Sequence, residues 1–557
     1  MSAATGHWAP EARTRDIAER LTRWPSVTGT RDEADFAEKL VGLLREIPYF
    51  QENPDDIAVI DSHLVANGTA MAKNVVALVR GTGRKTLALA GHYDVVSIEN
   101  FHDLQHLAFS PDELCAALIA DLSSRSDLTA KEEFALRDLQ SGDFVPGRGL
   151  LDMKSGDAAG IAFLEHFACQ ADCNGNVVLC LTPDEERNSC GMRSLRNALP
   201  ELVRRWDIDI VGGINLDASS DYENGEIGRA IFHGSIGKIM PFAMIVGQPT
   251  HVGYPFDGIS AHVMSAEIMQ AIEGNNDLSD HARNVTAPPP VCLECRDLRE
   301  NYEVTTPEHV WMAFNWLIQS KSASDALGEF ADIVKTTANR ALDRLFDRAT
   351  RHAEANGEPA PMAYRPLEVI SYAQLIEMAR TVGGEAGMAR IAAVEDEYRY
   401  SNNPLLRSRM LVLAAMAEAR LQAPAIITGN ASLHYPAVHL DTDRKLDRDF
   451  IEAIHEARQI IEARHDTKII DRGYFGGISD MSFFGKCPES DESKVIAENT
   501  PVGELVDQPV ADALEYPVVN IGPWGREYHQ RLERLYAPYC YKVLPDFLSE
   551  IAKKLLA

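Results

Sequence analysis

The first part of the chain alternates short apolar runs with amphipathic stretches. The apolar runs predict buried strands at 74–80, 86–91, 176–182 and 209–217. The amphipathic stretches predict helices at 32–47, within the segment that begins at 150, and near 190–205. Strands and helices in alternation favour a mostly parallel sheet that is covered by helices, which is an α/β fold.

From about residue 231 the pattern changes. Strands are predicted at 231–248 and 291–296, and helices at 260–273, 323–348, 403–420 and 447–464. Strand character returns at 517–522, and helical segments follow it to the end. We therefore expect an α+β domain inserted between two halves of a larger one: 1–230 and 441–557 form the larger domain, and 231–440 form the inserted one.

One predicted strand ends in a pair of polar residues. The apolar run 87–90 reaches Gly91, and His92 and Asp94 then follow two positions apart. Side chains alternate along an extended chain, so His92 and Asp94 share one face. A histidine that simply pairs with a neighbouring carboxylate is the alternative interpretation. The pair indicates a functional site only if further ligands lie near it.

Carboxylates at comparable places supply such ligands. They follow the strands at 176–182 and 209–217 or precede a helix, and they are Asp152, Glu185, Glu186 and Asp217. In open α/β sheets, ligands bind at the carboxyl ends of the strands. We therefore expect these acids to gather with His92.

These residue types suit a hydrolytic site with two metal ions. Such a site needs one carboxylate that bridges the ions, further oxygen and imidazole ligands, and room for water. Asp152 can bridge the ions. His92 and Asp217 can hold one ion, and Glu186 with a further histidine can hold the other.

Two further acidic residues, Glu185 and Asp94, are predicted to have roles other than metal binding. Adjacent glutamates point in different directions, so Glu185 can take a proton from water while Glu186 binds metal. Asp94 can accept the second ring N–H of His92 and so fix its tautomer. Taken alone, the glutamate pair has a solvated loop as its alternative interpretation.

Composition limits the classes of partner and the cellular compartment that we expect for this chain. The 557 residues are too many for one core, and 54 Lys and Arg against 83 Asp and Glu give a net charge of −29. This charge argues against nucleic acid or an anionic membrane as a partner. No signal peptide or apolar run of about 18 residues is found, and the odd count of nine cysteines fits reduced thiols. We therefore expect a cytoplasmic protein.

Six stretches, which together span nearly the whole chain, resemble the ordered motifs of metallopeptidase family twenty. This family comprises dizinc exopeptidases and amidohydrolases such as aminoacylase, carboxypeptidase G, acetylornithine deacetylase and succinyl-diaminopimelate desuccinylase. The stretches are GHYDVV at 91–96, GRGLLDMKSG at 147–156, TPDEERNSCG at 182–191, GQPTHVGYPFDGISAH at 247–262, GGISDMSFF at 476–484 and GREYHQRLERLY at 525–536. Chain length and the stretches GISDMSFFG at 477–485 and GSIGKIMP at 234–241 are most similar to the RocB-type branch, which is named for arginine utilisation.

The resemblance implies a zinc-exopeptidase-like fold and two divalent ions per chain, Zn²⁺ in the first place and Co²⁺ or Mn²⁺ as alternatives. The implied ligands are His92, Asp152, Glu186, Asp217 and His529. The implied general base is Glu185, and the peptide bond after Asp152 is expected to be cis. Asp221 competes with Asp217 as a ligand, and His434 and His439 are further late histidines beside His529.

The inserted domain resembles the lid of this family through Gly247, His251, Pro255 and Gly258. His251 is implied to stabilise the oxyanion, either in its own chain or in a partner's site. Substrate-binding candidates are Arg296, Arg299 and Asp480, with surface ion pairs as the alternative for the arginines. The enlarged segment 285–440 leaves two arrangements open, a homodimer through the lid and a self-contained chain.

The leading functional hypothesis is metal-dependent hydrolysis of an amide or peptide bond in a small, dipeptide-like or amino-acid-like substrate. The alternatives are an N-acyl-amino-acid deacylase or desuccinylase, a catalytically silent metal-binding protein and, more weakly, a dizinc phosphoesterase. An unligated Glu185 favours an enzyme, because a site that only binds metal has no need of a base.

Overall fold

The structure is a computed structural model that describes residues 8–170, 173–221, 225, 228–282, 285–359, 361–487 and 490–557. The chain divides into two compact units. Unit 1 comprises Met1–Ser235, Val438–Cys487 and Pro509–Ala557, and unit 2 comprises Ile236–Ala437 and Pro488–Gln508. Unit 2 is thus inserted into unit 1.

The described part of the chain contains the following α-helices: α1 (Glu11–Thr22), α2 (Arg31–Leu44), α3 (Pro48–Glu52), α4 (Pro111–Ser124), α5 (Ala130–Ser141), α6 (Ser155–Ala168), α7 (Cys190–Trp206), α8 (Ala261–Ile272), α9 (Ala323–Asn356), α10 (Tyr372–Tyr398), α11 (Pro404–Ala419), α12 (Lys445–His465), α13 (Ser490–Asn499) and α14 (Leu544–Leu555). No helix of the described residues is long and apolar enough to cross a membrane.

The strands of the described residues are β1 (Ile57–Val65), β2 (Ala70–Arg80), β3 (Thr82–His92), β4 (Phe144–Pro146), β5 (Asn174–Thr182), β6 (Asp209–Asn215), β7 (Ser219–Ser220), β8 (Ala230–Phe232), β9 (Gly234–Ser235), β10 (Gly237–Ile239), β11 (Pro241–Val246), β12 (His281–Ala282), β13 (Val285–Thr286), β14 (Val291–Asp297), β15 (His309–Ile318), β16 (Val369–Ser371), β17 (Ala425–Asn430), β18 (Val438–His439), β19 (Ile470–Arg472), β20 (Val518–Asn520), β21 (Trp524–Arg526) and β22 (Arg534–Tyr536).

Unit 1 is built on an eight-stranded sheet of order β1-β2-β5-β3-β6-β20-β8-β19. The pairs β5–β3, β3–β6, β6–β20 and β8–β19 are parallel, and the other three are antiparallel. Leu87 and Leu89 of β3 enter the main core, while Ala88 and Ala90 are buried outside that core. Alternating residues are thus buried on both faces, which explains the continuous apolar runs. The predicted mixed, mostly parallel α/β sheet is confirmed.

A smaller sheet of order β4-β22-β21-β7 also belongs to unit 1. Its strands β21 and β22 form an antiparallel hairpin, and the intervening loop covers residues 527–533. The sequence pattern predicts only helical segments after residue 522, and this hairpin corrects that prediction. Each strand of the hairpin has only three residues, which is too short for a periodic signal.

Unit 2 holds a second sheet of order β10-β15-β11-β17-β16, with β14 paired to β15. The strand predicted at 231–248 is in fact four short strands, β8 to β11, because the chain passes from unit 1 to unit 2 between Ser235 and Ile236. Residues 488–508, assigned from the sequence to the larger domain, belong to unit 2. Their Ile496 is buried in the core that unit 2 builds from its sheet, α8 and α9.

Candidate metal centre

The carboxyl ends of three neighbouring parallel strands meet at one edge of the eight-stranded sheet. In the β3–β5 register His92 lies level with Thr182, and in the β3–β6 register Ala90 lies level with Asn215. The chain then leaves β5 towards the glutamate pair and leaves β6 towards Asp217. Parallel pairing therefore brings residues that are far apart in the sequence to one place.

The first ligand cluster surrounds the imidazole of His92. Its Nε2 lies 3.3 Å from Oδ1 of Asp152, 3.8 Å from Oδ1 of Asp217 and 3.8 Å from Oε2 of Glu185. This buried nitrogen makes no hydrogen bond of acceptable geometry within the described residues. A nitrogen ringed by acceptors to which it does not hydrogen-bond is the arrangement that ligands adopt around a cation.

The second ligand cluster surrounds His529. Its Nε2 lies 3.1 Å from Oδ2 of Asp152 and 3.0 Å from Oε1 of Glu186. Asp152 therefore presents Oδ1 to His92 and Oδ2 to His529. A carboxylate shared in this way suits the bridging position between two adjacent ions.

The electrostatics of the two clusters also fit divalent cations. Burial raises the pKa of Glu185 well above its ordinary value, and the carboxylates of Asp217 and Glu186 raise it further. Burial likewise raises the pKa of Glu186 to about 7. Bound cations would offset this crowding of carboxylates, and the mixed imidazole and carboxylate donors suit zinc and related metals.

Asp94 connects the end of β3 with the turn that carries the glutamates. Its Oδ1 accepts the N–H of Glu185 at 3.0 Å, and its Oδ2 accepts the N–H of Glu186 at 3.2 Å and the hydroxyl of Thr28 at 2.8 Å. Nδ1 of His92 lies 3.1 Å from the carbonyl oxygen of Asp94 and 3.5 Å from its Oδ1. The residue therefore orients both the imidazole and the glutamate backbone.

Residues that sequence reasoning missed hold Asp217 in place. The hydroxyl of Ser479 donates to Oδ2 of Asp217 at 3.0 Å. The side chain of Asn520 accepts the N–H of Asp217 at 3.1 Å and donates to its carbonyl at 2.9 Å. Both residues lie far from Asp217 in the sequence. The serine falls within a family-like stretch, but Asn520 carries no recognisable signal.

The β21–β22 loop presents His529, and a buried ion pair anchors that loop. His529 has a φ of +64°, and its carbonyl accepts a hydrogen bond from Asn100 at 2.8 Å. The carboxylate of Glu533 pairs with Arg148, and it accepts the N–H of Gly149 at 3.0 Å. Because Gly149 directly precedes the segment that holds Asp152, this pair links the segment of Asp152 with the loop of His529.

The segment around Asp152 is irregular. Residues Leu150–Lys154 form a wide helical turn that is interrupted at Asp152 and Met153, and α6 begins directly after it. The peptide bond between Asp152 and Met153 is cis, as the resemblance implies.

The competing candidates lie elsewhere. Asp221 is buried, and its Oδ2 accepts the N–H of Gly228 at 3.0 Å. His434 is a buried residue of unit 2, and His439 lies in β18. In the part of the chain that the structure describes, none of the three joins either ligand cluster.

Asp480 lies near the centre but is buried, with 2% of its surface exposed. Its Oδ2 accepts the hydroxyl of Thr182 at 3.2 Å, and burial raises its pKa to about 7. Its carboxylate also raises the pKa of Glu185. A role in substrate binding stays a prediction for this residue.

The lid candidates belong to unit 2. His251 is exposed, and its Nδ1 accepts the N–H of Gly253 at 3.0 Å. The guanidinium of Arg299 donates to Asp297 at 3.0 Å and to the carbonyl of Thr305 at 3.0 Å. Arg296 is exposed on β14. The proposed roles of His251, Arg296 and Arg299 stay predictions.

Comparison of the chain with known proteins identifies a matching family and two similar proteins. The family model described as peptidase family M20/M25/M40 matches residues 126–496, which is more than half of the chain. The protein YqjN of Bacillus subtilis (strain 168) is 30% identical over 99% of this chain and 97% of its own length. Protein RocB of the same organism is 27% identical over 99% of this chain and 96% of its own length.

A solved structure shares the fold. The aminopeptidase PepT of Bacillus cereus ATCC 10987 superposes with a TM-score of 0.53 and 13% identity, and the match covers 99% of this chain and 100% of that one. At this identity the likeness concerns the fold alone.

Proposed function

The chain belongs to peptidase family M20/M25/M40 and is a metal-dependent hydrolase, and we propose that it cleaves an amide or peptide bond in a small amino-acid-like substrate at a dinuclear centre. The observation that carries this proposal is the sharing of Asp152. Its two carboxylate oxygens lie 3.3 Å from Nε2 of His92 and 3.1 Å from Nε2 of His529.

Two sets of side chains would hold the metal ions. His92, Asp152 and Asp217 would hold one, and Asp152, Glu186 and His529 would hold the other. When bound, divalent ions such as Zn²⁺, Co²⁺ or Mn²⁺ supply Lewis acidity, which lowers the pKa of water and polarises a carbonyl.

Glu185 is the carboxylate that would handle protons. Its Oε2 lies 3.8 Å from Nε2 of His92, as far as Oδ1 of Asp217, but Glu185 is no member of either ligand triad. Burial raises its pKa, and a raised pKa makes a carboxylate a stronger proton acceptor. Glu185 would accept a proton from the attacking water at one carboxylate oxygen and return it to the leaving nitrogen as the amide bond breaks.

Adjacent variants separate base from ligand. Glu185→Gln should keep the metal content of the wild type and lose at least about 100-fold in kcat, because a positioned base contributes roughly 10²–10⁴-fold. Glu186→Gln should lower metal affinity, because its Oε1 faces His529. Metal content by mass spectrometry and single-turnover kinetics measure both effects. A fully active Glu185→Gln chain with normal metal content would refute the proposed base.

The substrate assay uses dipeptides and N-acyl amino acids with zinc, cobalt or manganese supplied. Cleavage of dipeptides supports a peptidase, and cleavage only of N-acyl amino acids supports a deacylase. Turnover of neither class, with two metal ions bound, would indicate a protein that binds metal without catalysis and would refute the proposal.

The candidate for a catalytic residue in unit 2 is His251, which lies in the stretch that resembles the lid motif of the family. We propose that it stabilises the developing oxyanion, as a hydrogen-bond donor does in acyl transfer. His251→Ala should then lower kcat and leave metal content unchanged. Activity recovered by mixing His251→Ala chains with Glu185→Gln chains would indicate a homodimer in which the lid acts across subunits. Separate chains that stay inactive on mixing would indicate action within one chain.

A further inference from the structure

A second group of metal-binding side chains lies in unit 1, away from the dinuclear centre. It consists of His233 after β8, His455 on α12 and Asp471 in β19, whose ligand atoms all lie within 4.8 Å of one another. Strands β8 and β19 form one edge of the eight-stranded sheet, and β19 lies three strands from β6. At about 4.8 Å per strand, β19 is roughly 14 Å from β6, the strand that leads to Asp217.

We propose that His233, His455 and Asp471 form a third binding site for a divalent transition-metal ion. Two imidazole nitrogens and one carboxylate oxygen are donors that suit Zn²⁺ and its neighbours. Three protein ligands leave one tetrahedral position for water.

The two distances to Asp471 need little adjustment to hold an ion. Nε2 of His233 lies 2.7 Å from Oδ1 of Asp471, and Nε2 of His455 lies 3.4 Å from the same oxygen. Bonds of about 2.1 Å in a tetrahedral site separate the ligand atoms by roughly 3.4 Å. The His233 contact would open by less than 1 Å, and the His455 contact already matches.

The backbone fixes two of the ligands. The N–H of His233 donates to the carbonyl of Arg472 at 2.9 Å, and Asp471 is paired with Ile231 in the parallel β8–β19 register. His233 and Asp471 are therefore held by the sheet itself. Ligands on rigid elements lose little freedom when an ion binds.

The third ligand comes from a packed helix. Ala453, Ile454 and Ala457 of α12 are buried in the main core of unit 1, so the helix presents His455 at a fixed position. Nε2 of His455 is shielded from solvent and makes no hydrogen bond within the described residues. A shielded nitrogen that is directed at a carboxylate without a hydrogen bond is able to serve as a metal ligand.

Arg458 sets the orientation and the strength of the site. Its guanidinium pairs with Oδ2 of Asp471, which leaves Oδ1 for the two histidines. A partner that holds a ligating carboxylate fixes its orientation. The positive charge of Arg458 also lowers affinity for a cation, so we expect this site to fill after the dinuclear centre.

Zinc stoichiometry tests the proposal on the full chain. Equilibrium dialysis against increasing zinc chloride, with metal and protein measured by mass spectrometry and absorbance, should give one ion per chain fewer for His455→Ala than for the wild type. His455→Gln should lose the same ion. A variant counts only if its far-UV circular dichroism matches the wild type, and the two substitutions guard against misfolding of one of them.

His352→Ala is the matched control, because His352 is an exposed histidine on helix α9. It should bind as many zinc ions as the wild type. Equal stoichiometry for the wild type and both folded His455 variants would overturn the proposal, and would leave the cluster as an ion pair without metal. Because the test counts ions, its result is independent of whether the dinuclear centre hydrolyses any substrate.

Discussion

Asp94→Asn removes one charge from the residue that links His92 with the glutamate turn. In the wild type, its two carboxylate oxygens accept the N–H groups of Glu185 and Glu186 and the hydroxyl of Thr28. Asparagine offers only one acceptor oxygen, and its amide group must face one of the two N–H donors. The substitution therefore leaves the size of the side chain unchanged and breaks at least one hydrogen bond to a charged acceptor.

The size of the effect follows from these contacts. A hydrogen bond to a charged group contributes about 1.5–3 kcal/mol, so we expect the free energy of unfolding to fall by about 2 kcal/mol. Loss of a partner that orients a metal-binding histidine typically costs 10–100-fold in metal affinity. The lower end, about 10-fold, applies here because the carbonyl oxygen of Asp94 still lies 3.1 Å from Nδ1 of His92.

Chelator competition measures the zinc affinity of Asp94→Asn against the wild type, and urea unfolding of the metal-free chains measures stability. Asp221→Asn is the matched control. Asp221 is also a buried carboxylate that accepts a backbone N–H, from Gly228 at 3.0 Å, but it lies outside both ligand clusters. It should lose stability without a change in zinc affinity. Unchanged affinity in Asp94→Asn, or an equal loss in Asp221→Asn, would refute the reasoning.

Two further predictions concern stability. Burial lowers the pKa of His434 to about 4 from an ordinary 6.5, so the unfolded chain binds more protons between these values and stability falls as pH falls through them. Between pH 7 and pH 5 this difference lowers the free energy of unfolding of the wild type by about 2 kcal/mol. Urea unfolding of the metal-free chains should show that His434→Gln loses about 2 kcal/mol less than the wild type over the same range. Equal losses in the two chains would contradict the prediction. A Cβ at Gly91 would collide with the carboxylate of Asp157, whereas one at Gly42 in α2 meets nothing within 4 Å. Gly91→Ala should therefore destabilise by about 1–3 kcal/mol and weaken zinc binding through the adjacent strand end, while Gly42→Ala should stabilise by about 0.5–1 kcal/mol; thermal unfolding that ranks them in the opposite order would contradict this.

The elements that could be predicted are those whose burial produces a recognisable pattern of apolar residues within the element itself. From Thr86 onward the strand β3 is buried on both faces, which explains the continuous apolar run at 87–90. The helix α10 was missed, because its sequence contains two consecutive glycines and its chain turns sharply at Gly384, with a φ of +60°. Small residues and a kink weaken the 3.6-residue period on which a helix prediction depends.

The residues of the candidate site likewise fall into those that the sequence pattern could predict and those that it could not. His92 and the glutamate pair could be derived from strand alternation, because they follow strands that pair directly with each other. His529 could not, because it lies on the loop of a hairpin whose strands are too short to predict. The choice between Asp217 and Asp221 was also open from the sequence, since both follow β6; the structure brings only Asp217 near His92.

The direction of the two glutamates is the step that turns a cluster of ligands into a proposed reaction. The carboxylate of Asp94 accepts the backbone N–H of both glutamates, so the backbone at these two residues is held in place. Glu185 then faces His92, with Oε2 at 3.8 Å, and Glu186 faces His529, with Oε1 at 3.0 Å. Because the backbone is held, the two side chains cannot exchange these positions, although they are chemically identical. Position alone thus distinguishes the proposed base from the proposed ligand, and an exchange of their roles would require Asp94 to release both backbone N–H groups.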